Sequence, residues 1–342
     1  MLDVYSGAVH VVDELCYDLI AWLTKKKESY TAQELGGEEL GRSAVQALSG
    51  KYKEEEIREG LADIQELTEA GQLFTEDTYE SLIQEVKQRK TVVKALCLHI
   101  AHDCNLACRY CFAEEGEYHG RRALMSFEVG KKALDFLIQN SGNRRNLEVD
   151  FFGGEPLMNW DVVKRLVEYG RSQEEAHNKK FRFTITTNGV LLNDEIMDFC
   201  NKEMSNVVLS LDGRPEVNDY MRPFRNGKGS YDLIVPKFQK FAELRGDKDY
   251  YVRGTFTKYN KDFGEDVLHM NSLGFDQISI EPVVADPKQP YALTYEDLPE
   301  VVEEYDRLSK IMIEKQKSGK GFNFYHFMID LDQGPCAIKR LR

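Results

Sequence analysis

The chain has 342 residues, 42% of them hydrophobic, and carries 45 Lys and Arg against 58 Asp and Glu for a net charge of −13. That length allows about two domains with sizeable cores, and the acidic balance argues against nucleic acid or an anionic membrane surface as a main partner. No apolar run approaches the ~20 residues needed to cross a bilayer, and residues 1–23 carry scattered acids in place of a basic signal start, so a cytoplasmic, reducing location is expected.

The first expected element is a short extended segment over 2–12 around Gly7, followed by a helix through Leu15, Leu19, Ile20 and Leu23. A turn-rich passage containing Gly36 and Gly37 follows. Residues 52–68 then read as a second helix with Ile57, Leu61, Ile64 and Leu67 on one face and Gly71 as its stop. A small strand with two or three helices suggests a winged-helix-like α+β module over 1–90, and its acidic balance favours a peptide laid on a strand edge or groove. The alternative is a structural cap on the larger domain.

From residue 91 the pattern changes to apolar, β-branched runs alternating with amphipathic helices. The expected strands are 92–100, 147–152, 181–187, 207–211, 251–256 and 278–283. Helical periodicity lies between them, as in Val129, Ala133, Leu134, Leu137 and Ile138, or in Ile196, Phe199 and Cys200 behind an Asn193 cap. Pro236 should kink or delay the helix expected over 231–244. Six βα units build a parallel sheet with crossover helices, a partial (β/α)6 TIM-like barrel left open because closure takes eight.

In parallel α/β folds, ligands bind beyond the carboxyl ends of the strands, and each expected strand here ends in small or functional residues. The first is followed by Cys104-Asn-Leu-Ala-Cys108-Arg-Tyr-Cys111. The next ends in Gly153-Gly154-Glu155-Pro156, the third in Thr187-Asn188-Gly189 and the fourth in Ser210-Leu211-Asp212-Gly213. The fifth offers Arg253 and the sixth Glu281-Pro282. Singly these are ordinary turn residues; together they mark one rim.

The cysteine run carries the chemistry. Three thiolates within eight residues can serve one inorganic centre, whereas an all-cysteine cluster or a structural zinc takes four protein ligands. The unfilled corner points to a coordination site for substrate or cofactor. A zinc knuckle would need His99, His102 or His119 as its fourth ligand, and disulfides are disfavoured in a reducing compartment. Cys16, Cys97 and Cys200 stand alone in helix or strand patterns and read as buried structural residues.

The C-x3-C-x2-C run with G-G-E-P, T-T-N-G and S-L-D-G at successive strand ends resembles the radical S-adenosylmethionine enzymes over about residues 92–320. More narrowly, it resembles the branch with a C-terminal SPASM-type extension, and with the N-terminal module and Gly334-Pro335-Cys336 it is similar to the thioether-forming maturases of SCIFF peptides. The resemblance implies a radical core over 91–320 and the start of a truncated extension over 321–342, so the chain is expected to be a piece of a longer protein. Further clusters of such enzymes lie in the extension, where this chain has only Cys336.

The resemblance also implies that Cys104, Cys108 and Cys111 hold a [4Fe-4S] cluster whose fourth iron is chelated by S-adenosylmethionine. Reduction through a low-potential electron donor would then release a 5'-deoxyadenosyl radical. Glu155 with the Gly153–Gly154 backbone would receive the methionine ammonium, Ser210 and Arg253 its carboxylate. Tyr110 would pack near the adenine, Asn188 would bond cofactor or substrate, and Asp212 would face the substrate. The substrate implied is a cysteine-rich precursor peptide, crosslinked after hydrogen abstraction from a backbone α-carbon. An anaerobic sulfatase maturase and a non-catalytic iron-sulfur peptide-binding protein are the alternatives.

Overall fold

A computed structural model describes residues 1–77 and 91–328, which fall into two compact units, one within 1–77 and the other over Thr91–Met328. The described residues of the first unit form four helices, α1 (Glu14–Lys26), α2 (Ala32–Leu35), α3 (Glu38–Leu48) and α4 (Glu54–Glu69). Asp13 caps α1 by accepting from Cys16 N–H at 2.7 Å, and Thr31 with Glu34 forms a capping box on α2. Leu19, Leu23, Leu35, Ala44, Ile57, Leu61 and Ile64 close a separate core.

Two expectations change in this unit. The passage around Gly36 and Gly37 is not a plain turn, because α2 and α3 flank it. The buried face of α3 includes the small residues Gly41 and Ala44, so its apolar period is faint in the sequence. The extended start contributes one antiparallel bridge, Leu2 with Val9, and the described part of the unit holds no strand that would form a wing. Residues 78–90 lie outside the described residues.

The second unit is an eight-stranded sheet in the order β2-β1-β3-β4-β5-β6-β7-β8. In chain order its elements are β1 (Ala95–His102), β2 (Ala123–Leu124), α5 (Phe127–Asn140), β3 (Asn146–Gly153), α6 (Trp160–His177), β4 (Lys180–Thr187), α7 (Asp194–Glu203) and β5 (Met204–Ser210). They continue as α8 (Pro215–Met221), α9 (Tyr231–Arg245), β6 (Tyr250–Phe256), α10 (Phe263–Ser272), β7 (Gln277–Pro282), α11 (Leu298–Lys317) and β8 (Asn323–Phe324). All pairings are parallel except β1 with β2. The six expected strands are the six long ones, in sequential order. β2 and β8 stand at opposite edges, so the sheet does not close.

Strand parity divides the two faces of the sheet. Leu147, Val149, Phe151, Phe181, Phe183, Ile185, Val207, Leu209, Val252 and Ile278 pack into one core with Leu134, Leu166, Met197, Phe238 and Val267 of the helices. On the other parity, Cys97, Asp150, Thr184 and Asn206 stand in register across four strands. Cys97 is therefore exposed on this polar face and not a buried structural residue.

Helix α9 runs unbroken from Tyr231 to Arg245 with Pro236 inside it, so the proline does not delay its start. Ile234, Val235, Phe238 and Phe241 of that helix are buried in the core, and this packing offsets the missing hydrogen bond. Asn193 caps α7 as expected, accepting from Ile196 N–H at 2.9 Å. At the far edge β8 pairs with β7, so the sheet continues past the boundary expected at 320. Cys336 lies outside the described residues.

Candidate active site

The carboxyl ends of the parallel strands bring Cys104, Cys108, Tyr110, Cys111, Gly153, Gly154, Glu155, Asn188, Ser210 and Arg253 to one cavity of ≈ 340 Å³. Thus ten of the eleven residues singled out in the sequence line it; Asp212 does not. A larger cavity of ≈ 550 Å³ sits against the polar row of Cys97, Asp150, Thr184 and Asn206 and holds none of the three clustered cysteines.

The cysteine loop is pinned from a distance. Ala107 N–H donates to Pro223 O and Arg109 N–H to Met221 O, both at 2.9 Å, and Leu106 bridges Phe224. The Arg225 guanidinium donates to Asp103 Oδ1 at 2.9 Å and to the Cys104 carbonyl. The turn after α8 therefore acts as a backbone partner for a loop more than a hundred residues earlier. No local pattern announces such a pairing.

Glu155 is fully buried, and the protein already uses both of its oxygens. Oε1 accepts from Leu157 N–H at 3.0 Å and from the Thr187 hydroxyl at 2.8 Å, while Oε2 accepts from Asn188 N–H at 2.7 Å. A carboxylate has about four acceptor positions, so one remains for a cation. Burial raises its pKa, and these hydrogen bonds act against the rise. Asn188 in turn donates to Asn105 Oδ1 at 2.7 Å and lies 3.6 Å from Cys104 Sγ.

The two glycines line the cavity and are also packed against protein backbone. A Cβ on Gly153, whose φ is 124°, would lie 2.5 Å from Ala101 O, and one on Gly154 would lie 2.1 Å from Asp103 O. Their bare backbone lets β3 close against the chain entering the cysteine loop.

Asp212 is completely buried, and the Tyr110 hydroxyl donates to its carboxylate, 2.9 and 2.8 Å from the two oxygens. Thr255 N–H adds a 3.0 Å bond to Oδ1. Arg222 Nη1 donates to the Tyr110 oxygen at 2.8 Å and stands 4.0 Å from Asp212. Burial pushes the Asp212 carboxyl up to about 6, with Arg222 and Tyr110 pulling it back. Asp212 thus sits behind Tyr110, away from the cavity surface where it was expected to face substrate, and the hydroxyl of Tyr110 is engaged in this line.

Ser210 and Arg253 are in register on neighbouring strands β5 and β6, both on the cavity wall, with Arg253 exposed. Glu281 completes the wall on β7; His326 Nε2 lies 3.0 Å from it and Ser279 Oγ donates to it at 2.8 Å. His326 Nδ1 meets the Tyr305 hydroxyl at 2.7 Å. Arg222, His326 and Tyr305 were missed in the sequence. Arg222 lies at the end of a seven-residue helix, where an arginine reads as solvent-facing.

Burial drives the Cys104 thiol up to about 12, helped by the charge of Glu155, and Cys108 up to about 11 against the pull of Arg222. Neutral thiols are what such a site holds without a cation; thiolates there call for a metal centre. Among the described residues no group of three or more His, Cys, Asp or Glu side chains converges on a single-ion site. A four-iron cluster is held by cysteine thiolates. The donor set of three free, half-buried cysteines on one cavity wall fits that group.

Residues 98–273 match the Radical SAM superfamily. Among curated relatives, the radical SAM cyclopropyl synthase TigE of Paramaledivibacter caminithermalis is 26% identical over 187 residues, 50% of this chain and 38% of the relative. A cysteine-type anaerobic sulfatase-maturating enzyme of Clostridium novyi is 30% identical over 137 residues, 39% of this chain and 36% of that enzyme. This chain spans well under half the length of either. The solved structure of native anSMEcpe with bound AdoMet and Cp18Cys peptide superposes with a TM-score of 0.58 at 20% identity, covering 69% of this chain and 64% of that one, a likeness of fold.

Proposed function

The chain belongs to the radical SAM superfamily, enzymes that use a [4Fe-4S] cluster and S-adenosylmethionine, and from that premise we propose that it is a peptide-modifying maturase of the SPASM branch. Its substrate would be a cysteine-rich precursor peptide that it crosslinks through thioether bonds. The observation that carries the reading is the single cavity, lined from six parallel strand ends, that brings together three cysteines, a buried carboxylate and an arginine.

In this reading Cys104, Cys108 and Cys111 would hold the cluster. The bound cofactors supply the 5'-deoxyadenosyl radical once a low-potential donor has given an electron. Glu155 has one acceptor position left for the methionine ammonium, beside the Gly153 and Gly154 backbone. Ser210 and Arg253, adjacent across two strands, suit its carboxylate through a hydroxyl and a planar guanidinium. Asn188 holds the Cys104 side of the loop to the end of β4. Asp212 acts as a positioning residue through Tyr110 in place of contacting peptide. The helical unit within 1–77 is assigned to peptide recognition.

A second reading, a sulfatase-type maturase acting on a protein cysteine, is favoured by the match to the Clostridium novyi enzyme. Anaerobic reconstitution followed by mass spectrometry separates the two. Thioether formation removes two hydrogens from the precursor peptide per crosslink, and an unchanged peptide mass overturns the thioether reading. Replacing Cys108 by Ala is expected to reduce bound iron to background and stop 5'-deoxyadenosine release; normal iron in that variant overturns the ligand assignment.

A further inference from the structure

Arg222 is the buried charge in the cavity that these roles leave unused. Its side chain is 10% exposed and lines the same cavity as Cys104 and Cys108. Its Nε is buried without a hydrogen-bond partner, a costly arrangement for a charged group unless something else compensates it. Nη1 donates to the Tyr110 hydroxyl, which donates to Asp212 on the side away from the cavity. The result is a buried line of charge with Asp212 as its negative end behind Tyr110 and Arg222 as its positive end at the cavity wall.

We propose that Arg222 is a positioning residue that sets the reduction potential of the cluster, presenting the positive end of the Arg222–Tyr110–Asp212 line to the thiolate wall and favouring uptake of one electron. The inference rests on the reading that Cys104, Cys108 and Cys111 are the cluster ligands. The step concerned is a one-electron reduction from the +2 to the +1 cluster, with the electron taken from a low-potential one-electron donor and no bond or proton exchanged. Cluster potentials respond to local net charge, hydrogen bonding and solvent access, and a buried fixed charge is screened less than an exposed one. Because the guanidinium stays protonated at any working pH, its contribution is permanent.

The test is the midpoint potential of the anaerobically reconstituted full chain, titrated with dithionite and followed by electron paramagnetic resonance. Arg222→Met is expected to lower the potential by about 59 mV or more, a tenfold change in the reduction equilibrium of a one-electron couple. Arg222→Lys restores the charge and should bring the potential back toward wild type. Asp212→Asn removes the opposing charge and is expected to raise it. A purely structural Arg222 would lower the iron content and leave the potential of the loaded fraction unchanged, and that result overturns the proposal. If Arg222→Met takes up no iron, Asp212→Asn decides alone, and a wild-type potential there overturns it. A wild-type chain that binds no iron removes the ligand assignment and this inference with it.

Discussion

The hydroxyl of Thr187 donates to Glu155 Oε1 at 2.8 Å, tying the end of β4 to the turn after β3 across 32 residues of chain. With Asn188 N–H on Oε2 and Leu157 N–H on Oε1, one buried carboxylate organises two of the strand ends that line the cavity. Glu155→Gln turns one of those acceptor oxygens into a donor facing donors. The expected cost is about 1–3 kcal/mol, read as a lower denaturant midpoint of the apoprotein. Thr187→Val should cost about 0.5–1.5 kcal/mol, and Thr187→Ser should behave as wild type. A wild-type midpoint for Glu155→Gln would show that the clamp contributes nothing.

Gly154→Ala is predicted to disturb the cysteine loop directly. The added Cβ meets Asp103 O at 2.1 Å and Asp103 C at 2.6 Å, both backbone atoms, one residue before Cys104. Overpacking of this kind costs about 1–3 kcal/mol, and here the strain falls on the first proposed ligand. Both the melting temperature and the iron taken up on reconstitution should drop. Unchanged iron uptake would mean that the loop absorbs the methyl group without moving Cys104.

Acid unfolding is expected to report on Glu281. Burial pushes its carboxyl up, but the hydrogen bonds from Ser279 and His326 together outweigh that and hold it below the ordinary range. A depressed carboxylate contributes stability that is fully present above the unfolded value of about 4.3. That stability is lost as pH falls through the lower folded value. Wild type should therefore lose stability below about pH 4.3 more steeply than Glu281→Gln. Parallel acid profiles for the two proteins would discount the interaction.

The helical unit should tolerate no cavity in its small core. Leu61 is 5% exposed and packs in the cluster that includes the fully buried Leu19 and Leu23, so Leu61→Ala is expected to cost about 2–5 kcal/mol. If this unit binds the precursor peptide, peptide affinity measured by calorimetry should fall while iron content holds. Loss of iron with retained peptide binding would reverse that assignment of roles.

The strands were legible because each is a run of apolar or β-branched residues bounded by turn residues, as parallel strands covered by helices require. The expected 181–187 differs from Lys180–Thr187 by one residue at its start, and the expected 278–283 is shifted by one residue from Gln277–Pro282. Helix α3 escaped because Gly41 and Ala44 form part of its buried face. Cys97 was misjudged because strand parity, visible only with partners in register, turns it to the polar side.

The spacing of Cys104, Cys108 and Cys111 and the residues closing each strand lay within short covalent reach, and with the strand rhythm they identified the family and the rim from the sequence alone. Which groups touch was decided by tertiary structure. Asp212 went behind Tyr110, Glu155 became a clamp between strand ends, and Arg222 was carried 112 residues back to Tyr110. Those contacts depend on sheet order and on the backbone pairing of 106–109 with 221–224. Chain geometry sets a spacing of three or four residues locally, whereas only packing of the whole sheet brings together groups more than a hundred residues apart.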